Sequence, residues 1–456
     1  MKYSILRKKG YFSKFRVLIL ILAFVATIFI GSSLAVSIKY SLSPIYVGKQ
    51  LARYSVLSAI YLSTLIYDPA VVKNTTLDPA NNESIVNSAD YIQIDKYFKE
   101  SKVREALSIA KINNERIIKS RFNFIYQPYE EPRLDELRKK YKLVDVVSSA
   151  KDEFEAMILL RNWARSQFRR NDYQPIMENF DALEVLRRNI RNKDNEPYKP
   201  GQYRPCHFFP LFYTQVLLSM GYQARIVQIS YLAGGGYGGH GMTEVWSNQY
   251  KKWITMGPDL NQHFEKDGIP INLLEFHNER YEIRPSRINI VRGKYPDVDR
   301  GDYEEIDIDR WIDYHSYIQV IDMRNDWMTN HYFRGHPKRS DRASLFWVDK
   351  NLPSVFNFKQ KTDDVDDFYW TLNQTEILIK NDSNQKDSLE LAFHTFTPNF
   401  KHFEIIVDDK EKIISTDFVH LWKLHPGANK LLVRSVNKFG VNGIPSLVEL
   451  LVDREG

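Results

Sequence analysis

The stretch HGMTEVWSNQYKKWITMGPDLN, residues 240–261, constrains the fold more than any other. Two alternating apolar runs flank the polar segment SNQYKK, the pattern of two strands joined by a turn. A hairpin folding over 247–252 pairs residues whose numbers sum to roughly 498 or 499, which sets position 240 opposite 258 or 259. Either register brings the same short segment to His240. The GPD at 257–259 is therefore expected beside His240.

Upstream lies RPCHFFPLFYTQVLLSMGYQARIV, residues 204–227, with the chain's single cysteine, Cys206. The spacing predicts a helix that sets Phe209, Phe212, Val216 and Met220 on one face. Pro210 suits its first turn and Gly221 its end. YQARIVQISYL then reads as a strand. Cys206 falls at the helix start, where unpaired N–H groups and the macrodipole favour thiolate and can hold an oxyanion. A buried, inert cysteine is the competing reading. A thiol on a helix, a strand histidine and a carboxylate on the next strand together make a nucleophile, a base and an orienting group.

These blocks resemble the transglutaminase-like superfamily, with its papain-like Cys–His–Asp arrangement. The likeness is carried by Cys206, LSMGYQAR, HGMTEVW and KKWITMGPDLN, over roughly 125–280 and extending toward 345. His240, Glu244 and Val245 reproduce the family's spacing of His, Glu and Val. The resemblance implies an α+β, papain-like core and acyl transfer at an amide: Cys206 as nucleophile, His240 as base, a carboxylate as orienter. The chain departs from the family where Asp–Pro follows the hairpin Trp by four residues, because Gly257–Pro258 stands there. Asp259 is the substitute orienter, about 6–7 Å further along an ideal strand. Asn261 is a second candidate, since papain-like enzymes use Asn in this role. Gln202 is a candidate oxyanion amide, with plain loop polarity as the alternative.

Other residues read as structural. Glu244 is expected to pair with an arginine such as Arg225. His207, His263 and His277 lack metal-ligand spacing, and there is no second cysteine, so no metal is expected. No cofactor is expected either, because thiolate–imidazolium chemistry needs none. GGGYGG at 234–239 reads as a flap and not a phosphate loop. The segment RNDWMTNHYFRGHPKRSD reads as cleft lining or domain packing.

The chain opens with Lys2, Arg7, Lys8, Lys9, Lys14 and Arg16, then an uncharged run from Val17 to about Ile38. Such a run is long enough to cross a bilayer with its basic flank inside. An uncleaved anchor is favoured over a signal peptide cut near Ala35, because the run continues beyond that point. The bulk of the protein is then extracytoplasmic, periplasmic or at the cell surface. Without those six cations, the 63 basic side chains match the 57 acidic ones, which argues against a nucleic-acid partner. One cysteine excludes an internal disulfide.

The organisation expected is a tail and transmembrane helix at 1–38, a helical region at 39–124, the core at 125–345 and a β-sandwich at 346–456. Short alternating runs in the last segment, such as LELAFHTF and HFEIIVDD, carry the sandwich expectation. The stretch HLWKLHPGANKLLVRSVNKFGVNG resembles the closing strands of immunoglobulin or fibronectin-III modules. The functional expectation is hydrolysis or transamidation of a peptide, protein or cell-envelope glycan substrate. The alternative is a catalytically degenerate scaffold that binds a surface glycan or protein.

Overall fold

The computed structural model describes residues 90–100, 107–167, 181–187, 208–230, 239–282, 286–293, 308–320, 323–329, 344–348, 360–380 and 387–453. The chain divides into two compact units. One holds residues 1–71, 278–287 and 348–357, of which only 278–282, 286, 287 and 348 are described. The other holds 72–277, 288–347 and 358–456 and carries the architecture that follows.

The elements begin with β1 (Tyr91–Gln93), α1 (Ile94–Glu100), β2 (Leu107–Asn113), α2 (Pro132–Lys140), α3 (Leu143–Val146), α4 (Glu153–Ser166) and α5 (Phe208–Ser219). Next come β3 (Ala224–Ser230), β4 (Gly239–Ser247), β5 (Lys252–Gly257), β6 (Gln262–Lys266), β7 (Ile269–Pro270), α6 (Leu273–Glu279), β8 (Ile288–Arg292), α7 (Ile308–Tyr314) and β9 (Tyr317–Val320). The rest are β10 (Leu345–Trp347), β11 (Gln360–Thr362), α8 (Val365–Phe368), β12 (Thr375–Lys380), β13 (Ser388–Thr395), β14 (Phe400–Val407), β15 (Glu411–Ser415), β16 (Val419–Lys423), β17 (Gly427–Asn437) and β18 (Ser446–Val452).

The expected fold class is corrected by these elements. Strand outweighs helix, 41% to 26% of the described residues, so the described structure is mostly β where α+β was foreseen. No described helix is long and apolar enough to cross a membrane, and the apolar run 17–38 lies outside the described residues. Within the described part of the helical region foreseen for 39–124, Ile94–Glu100 is a helix, whereas Leu107–Asn113 is a strand and 114–120 has no regular secondary structure. The reason is long-range: β2 adds to the edge of a sheet by pairing with β18, Leu107 opposite Val452 and Ile112 opposite Val448. Such pairing overrides a weak local preference.

Two sheets pack face to face around Ile377, Leu391, Phe393, Phe403, Ile405, Leu431, Val433 and Val448. One runs β1-β12-β13-β16 and the other β15-β14-β17-β18-β2. The N-terminal segment thus supplies an edge strand to each sheet.

The largest sheet positions the candidate site. Its order is β11-β10-β9-β3-β4-β5-β6-β7, with β8 also on β6. On one face, α4 and α5 bury Met157, Leu160, Phe212, Val216, Val245 and Ile254. The opposite face is aromatic, with Trp246, Trp253, Phe264, Trp311 and Trp370. Every side chain of α5 is buried, where one apolar face was foreseen. A helix apolar all round belongs in an interior. Its polar groups find partners: the Gln215 oxygen accepts from Ala182 N, 33 residues away, at 2.7 Å, and Ser219 donates to Val216 O at 2.7 Å. Gly221 ends it at φ +87°, where a Cβ would lie 2.6 Å from Phe439 Cβ.

Arg225 and Glu244 face each other across β3 and β4, both fully buried. Glu244 Oε2 accepts from Arg225 Nη2 at 2.7 Å and Nε at 3.0 Å. Its other oxygen accepts from Leu273 N at 2.9 Å, Tyr369 Oη at 3.0 Å and Thr255 Oγ1 at 3.3 Å. The guanidinium lies 4.2 Å from the Trp253 ring centre and 4.7 Å from that of Trp370. Removing one partner strands a buried charge. Arg225→Met is expected to lower stability by about 3–5 kcal/mol in urea denaturation. Arg225→Met with Glu244→Gln, which removes the buried charge but keeps an acceptor oxygen for the Leu273, Tyr369 and Thr255 donors, is expected to recover part of that loss, and a single variant as stable as the parent would contradict this account.

Candidate functional site

His240 is the second residue of β4 and lies opposite Ile229 of β3. Alternation sets it on one face of the strand with Met242 and Glu244, while Thr243 and Val245 face the helices. Its ring meets Trp311 edge-on, with centroids 5.6 Å apart. In the β4–β5 hairpin Thr243 pairs with Met256, so that position 240 projects toward 259.

The strand β5 ends at Gly257, and the chain turns through residues 258–261 into β6, where Gln262 pairs with Gly257. The 6–7 Å offset foreseen for Asp259 presupposed a continuing strand. The turn removes that offset: Asp259 Oδ2 lies 3.3 Å from His240 Nε2, with the two side chains 15% and 13% exposed. The contact defines which imidazole nitrogen faces the carboxylate.

The turn itself is gripped from α4. Arg165 Nε donates to the Asp259 carbonyl at 2.7 Å, and Leu260 N donates to Asp259 Oδ1 at 2.9 Å. Asn261, the other orienting candidate, is fully buried at φ 49°, a left-handed conformation that Asn tolerates. Its side-chain oxygen accepts from Arg161 Nε at 3.0 Å, and its carbonyl accepts from Gly293 N at 2.7 Å. Asp259 is therefore the candidate orienter that lies at His240. The sequence reading missed Arg161 and Arg165. The signal was present as two arginines one helical turn apart within an apolar stripe.

Beneath the turn, Arg161 Nη1 donates to His263 Nδ1 at 2.9 Å, so the His263 proton sits on Nε2 and is shared with Glu265 Oε1 at 2.9 Å. Burial first, and then the Arg161 charge, push the His263 pKa down to about 4. His277 donates from Nδ1 to the His315 carbonyl at 2.7 Å. Both histidines are committed to structure. Trp327 is buried at 3% exposure, while 330–343 lie outside the described residues.

Cys206, Gln202, His207 and most of the glycine-rich loop lie outside the described residues. Helix α5 begins two residues after Cys206. Thr243 Oγ1 donates to Pro210 O at 3.1 Å near the helix start, and Trp246 N donates to Gln223 O at 2.8 Å just beyond its end. The helix therefore runs alongside β4, with its start toward the His240 end.

A separate small cleft is lined by Phe122, Phe124, Tyr126, Trp370 and Phe396, together with His394.

The low pKa of His263 sets a sign for pH dependence. The ordinary value is about 6.5, so below it the unfolded chain takes up a proton that the fold refuses. Its contribution is complete above pH 6.5 and is lost as pH falls toward about 4. Between pH 7 and 4.5 the parent is expected to lose roughly 1–3 kcal/mol more stability than His263→Gln in urea denaturation. Equal losses would contradict the buried neutral histidine. No protein-family model matches the chain, and no curated protein does.

Proposed function

We propose that this protein performs thiol-dependent acyl transfer at an amide, with Cys206, His240 and Asp259 as nucleophile, base and orienter. The observation that carries the reading is the 3.3 Å approach of Asp259 to His240 Nε2. With Nε2 turned to the carboxylate, Nδ1 is the nitrogen that takes the thiol proton. The sulfur attacks the carbonyl carbon to give a tetrahedral oxyanion. The amide C–N bond then breaks, and the amine leaves with the proton from His240. Water or a second amine releases the acyl group from the resulting thioester. Gln202 is the candidate donor to the oxyanion. The direction of α5 supports the reading, because Cys206 precedes the helix end that lies toward His240. Candidate substrates are peptides, peptidoglycan stems, protein glutamines and glycosylated asparagines.

Two observations favour a second reading, a non-catalytic recognition module. His240 lies on the β4 face opposite to Thr243, which holds the helix start. The aromatic cleft also suits glycan or peptide recognition without chemistry.

Alkylation separates the two, since the protein has one thiol. Iodoacetamide is expected to modify Cys206 rapidly below pH 7, and His240→Ala to slow that reaction at pH 6 by about tenfold or more. Asp259→Asn is expected to slow it less. A single rise centred near pH 8.5, indifferent to His240→Ala, would sink the catalytic reading and leave the recognition module.

A further inference from the structure

We infer that Arg161 and Arg165 act as a positioning pair that sets the Asp259 carboxylate against His240. The inference rests on the acyl-transfer reading for its purpose, though not for its geometry. The two arginines stand one turn apart on α4, and residues at that spacing share a helix face. Both are buried, at 0% and 1% exposure. They grip the four-residue turn at two points, the Asp259 carbonyl at 2.7 Å and the Asn261 side-chain oxygen at 3.0 Å.

Burying two guanidinium groups is expensive unless they are well hydrogen-bonded. A short turn with Asn in a left-handed conformation does not need them merely to close. What they add is direction. With the Asp259 carbonyl held by Arg165 and Oδ1 held by Leu260 N, the remaining oxygen is aimed at His240. The Arg165 guanidinium also lies 5.4 Å from the Phe209 ring centre, at the start of α5. One side chain therefore touches both the orienting turn and the helix that follows Cys206. This arrangement supplies from a turn the carboxylate that a continuing strand would have carried at position 257.

The test is the titration of His240 in the full chain labelled with ¹³C-histidine. His240→Gln identifies its signal among the 11 histidines. Asp259→Asn should lower the His240 pKa, because an anionic neighbour is lost. Arg165→Met should also lower it, by more than half of that change. The sign is diagnostic: deleting a nearby cation by itself would raise a histidine pKa. Arg165→Lys, still able to donate to the Asp259 carbonyl, should return the value toward the parent. In the Asp259→Asn background, Arg165→Met should add nothing.

Gly293→Ala acts from the other side, since its Cβ would lie 2.4 Å from Asn261 Nδ2. It should shift His240 in the same direction, and it keeps the test open if Arg165→Met does not fold. A His240 titration unchanged or raised by Arg165→Met, or unchanged by Gly293→Ala, would overturn the inference. These titrations do not involve Cys206. An alkylation profile indifferent to His240→Ala would therefore sink acyl transfer and leave the positioning pair standing. A flat Arg165→Met titration would sink the positioning pair alone.

Discussion

The Arg225–Glu244 pair is the interaction on which the rest of the unit depends. It joins β3 to β4 at directly opposed positions, in the interior, with no exposed surface on either side chain. Glu244 also holds the first residue of α6, the hydroxyl of Tyr369 and Thr255 of β5. Trp370 contacts the guanidinium and contributes to the aromatic core beneath the sheet. A charge pair in so dry a setting tolerates no register slip, since moving either strand by one residue would leave both charges unpaired. The positions of His240 on β4 and of the turn after β5 follow from it.

The turn shows how a strand can end early and still leave a carboxylate beside His240. Gly257–Pro258 ends β5, because proline has no N–H to continue the ladder. The carboxylate is then delivered by a turn, and turns are less rigid than strands. The chain restores rigidity with Arg161 and Arg165 from a helix whose own start is capped by Asp152, which accepts from Glu155 N at 2.8 Å. Local strand chemistry is lost and tertiary hydrogen bonds replace it.

The parts of the fold that were legible in the sequence are those fixed by local pattern. The alternation either side of SNQYKK gives the observed pairing of Thr243 with Met256. Glu244 read as the partner of an arginine such as Arg225 because a carboxylate inside an apolar strand needs a cation. Strands β12 to β18 coincide with the alternating runs of the tail. What was not legible depends on distant residues. Leu107–Asn113 carries helix-like spacing, yet its conformation is set by β18, more than three hundred positions later. Arg161 and Arg165 drew no reading from the sequence, because a charged side chain on a helix usually marks exposure. Their burial follows from a turn whose shape was not foreseen, since Asp259 was placed on an ideal strand. Helix α5 read as one-sided, although it is enclosed by α4 and the sheet.

The proposal turns on one spatial expectation: that the sole thiol, Cys206, reaches the imidazole of His240, which faces Asp259. The most direct measurement replaces His240 with cysteine and treats the full chain with dibromobimane, which fluoresces on bridging two neighbouring thiols. The account expects rapid intramolecular bridging and a single peptide pair joining residues 206 and 240 in the digest. Fluorescence no greater than for the parent, or bridges found only between molecules, would contradict it.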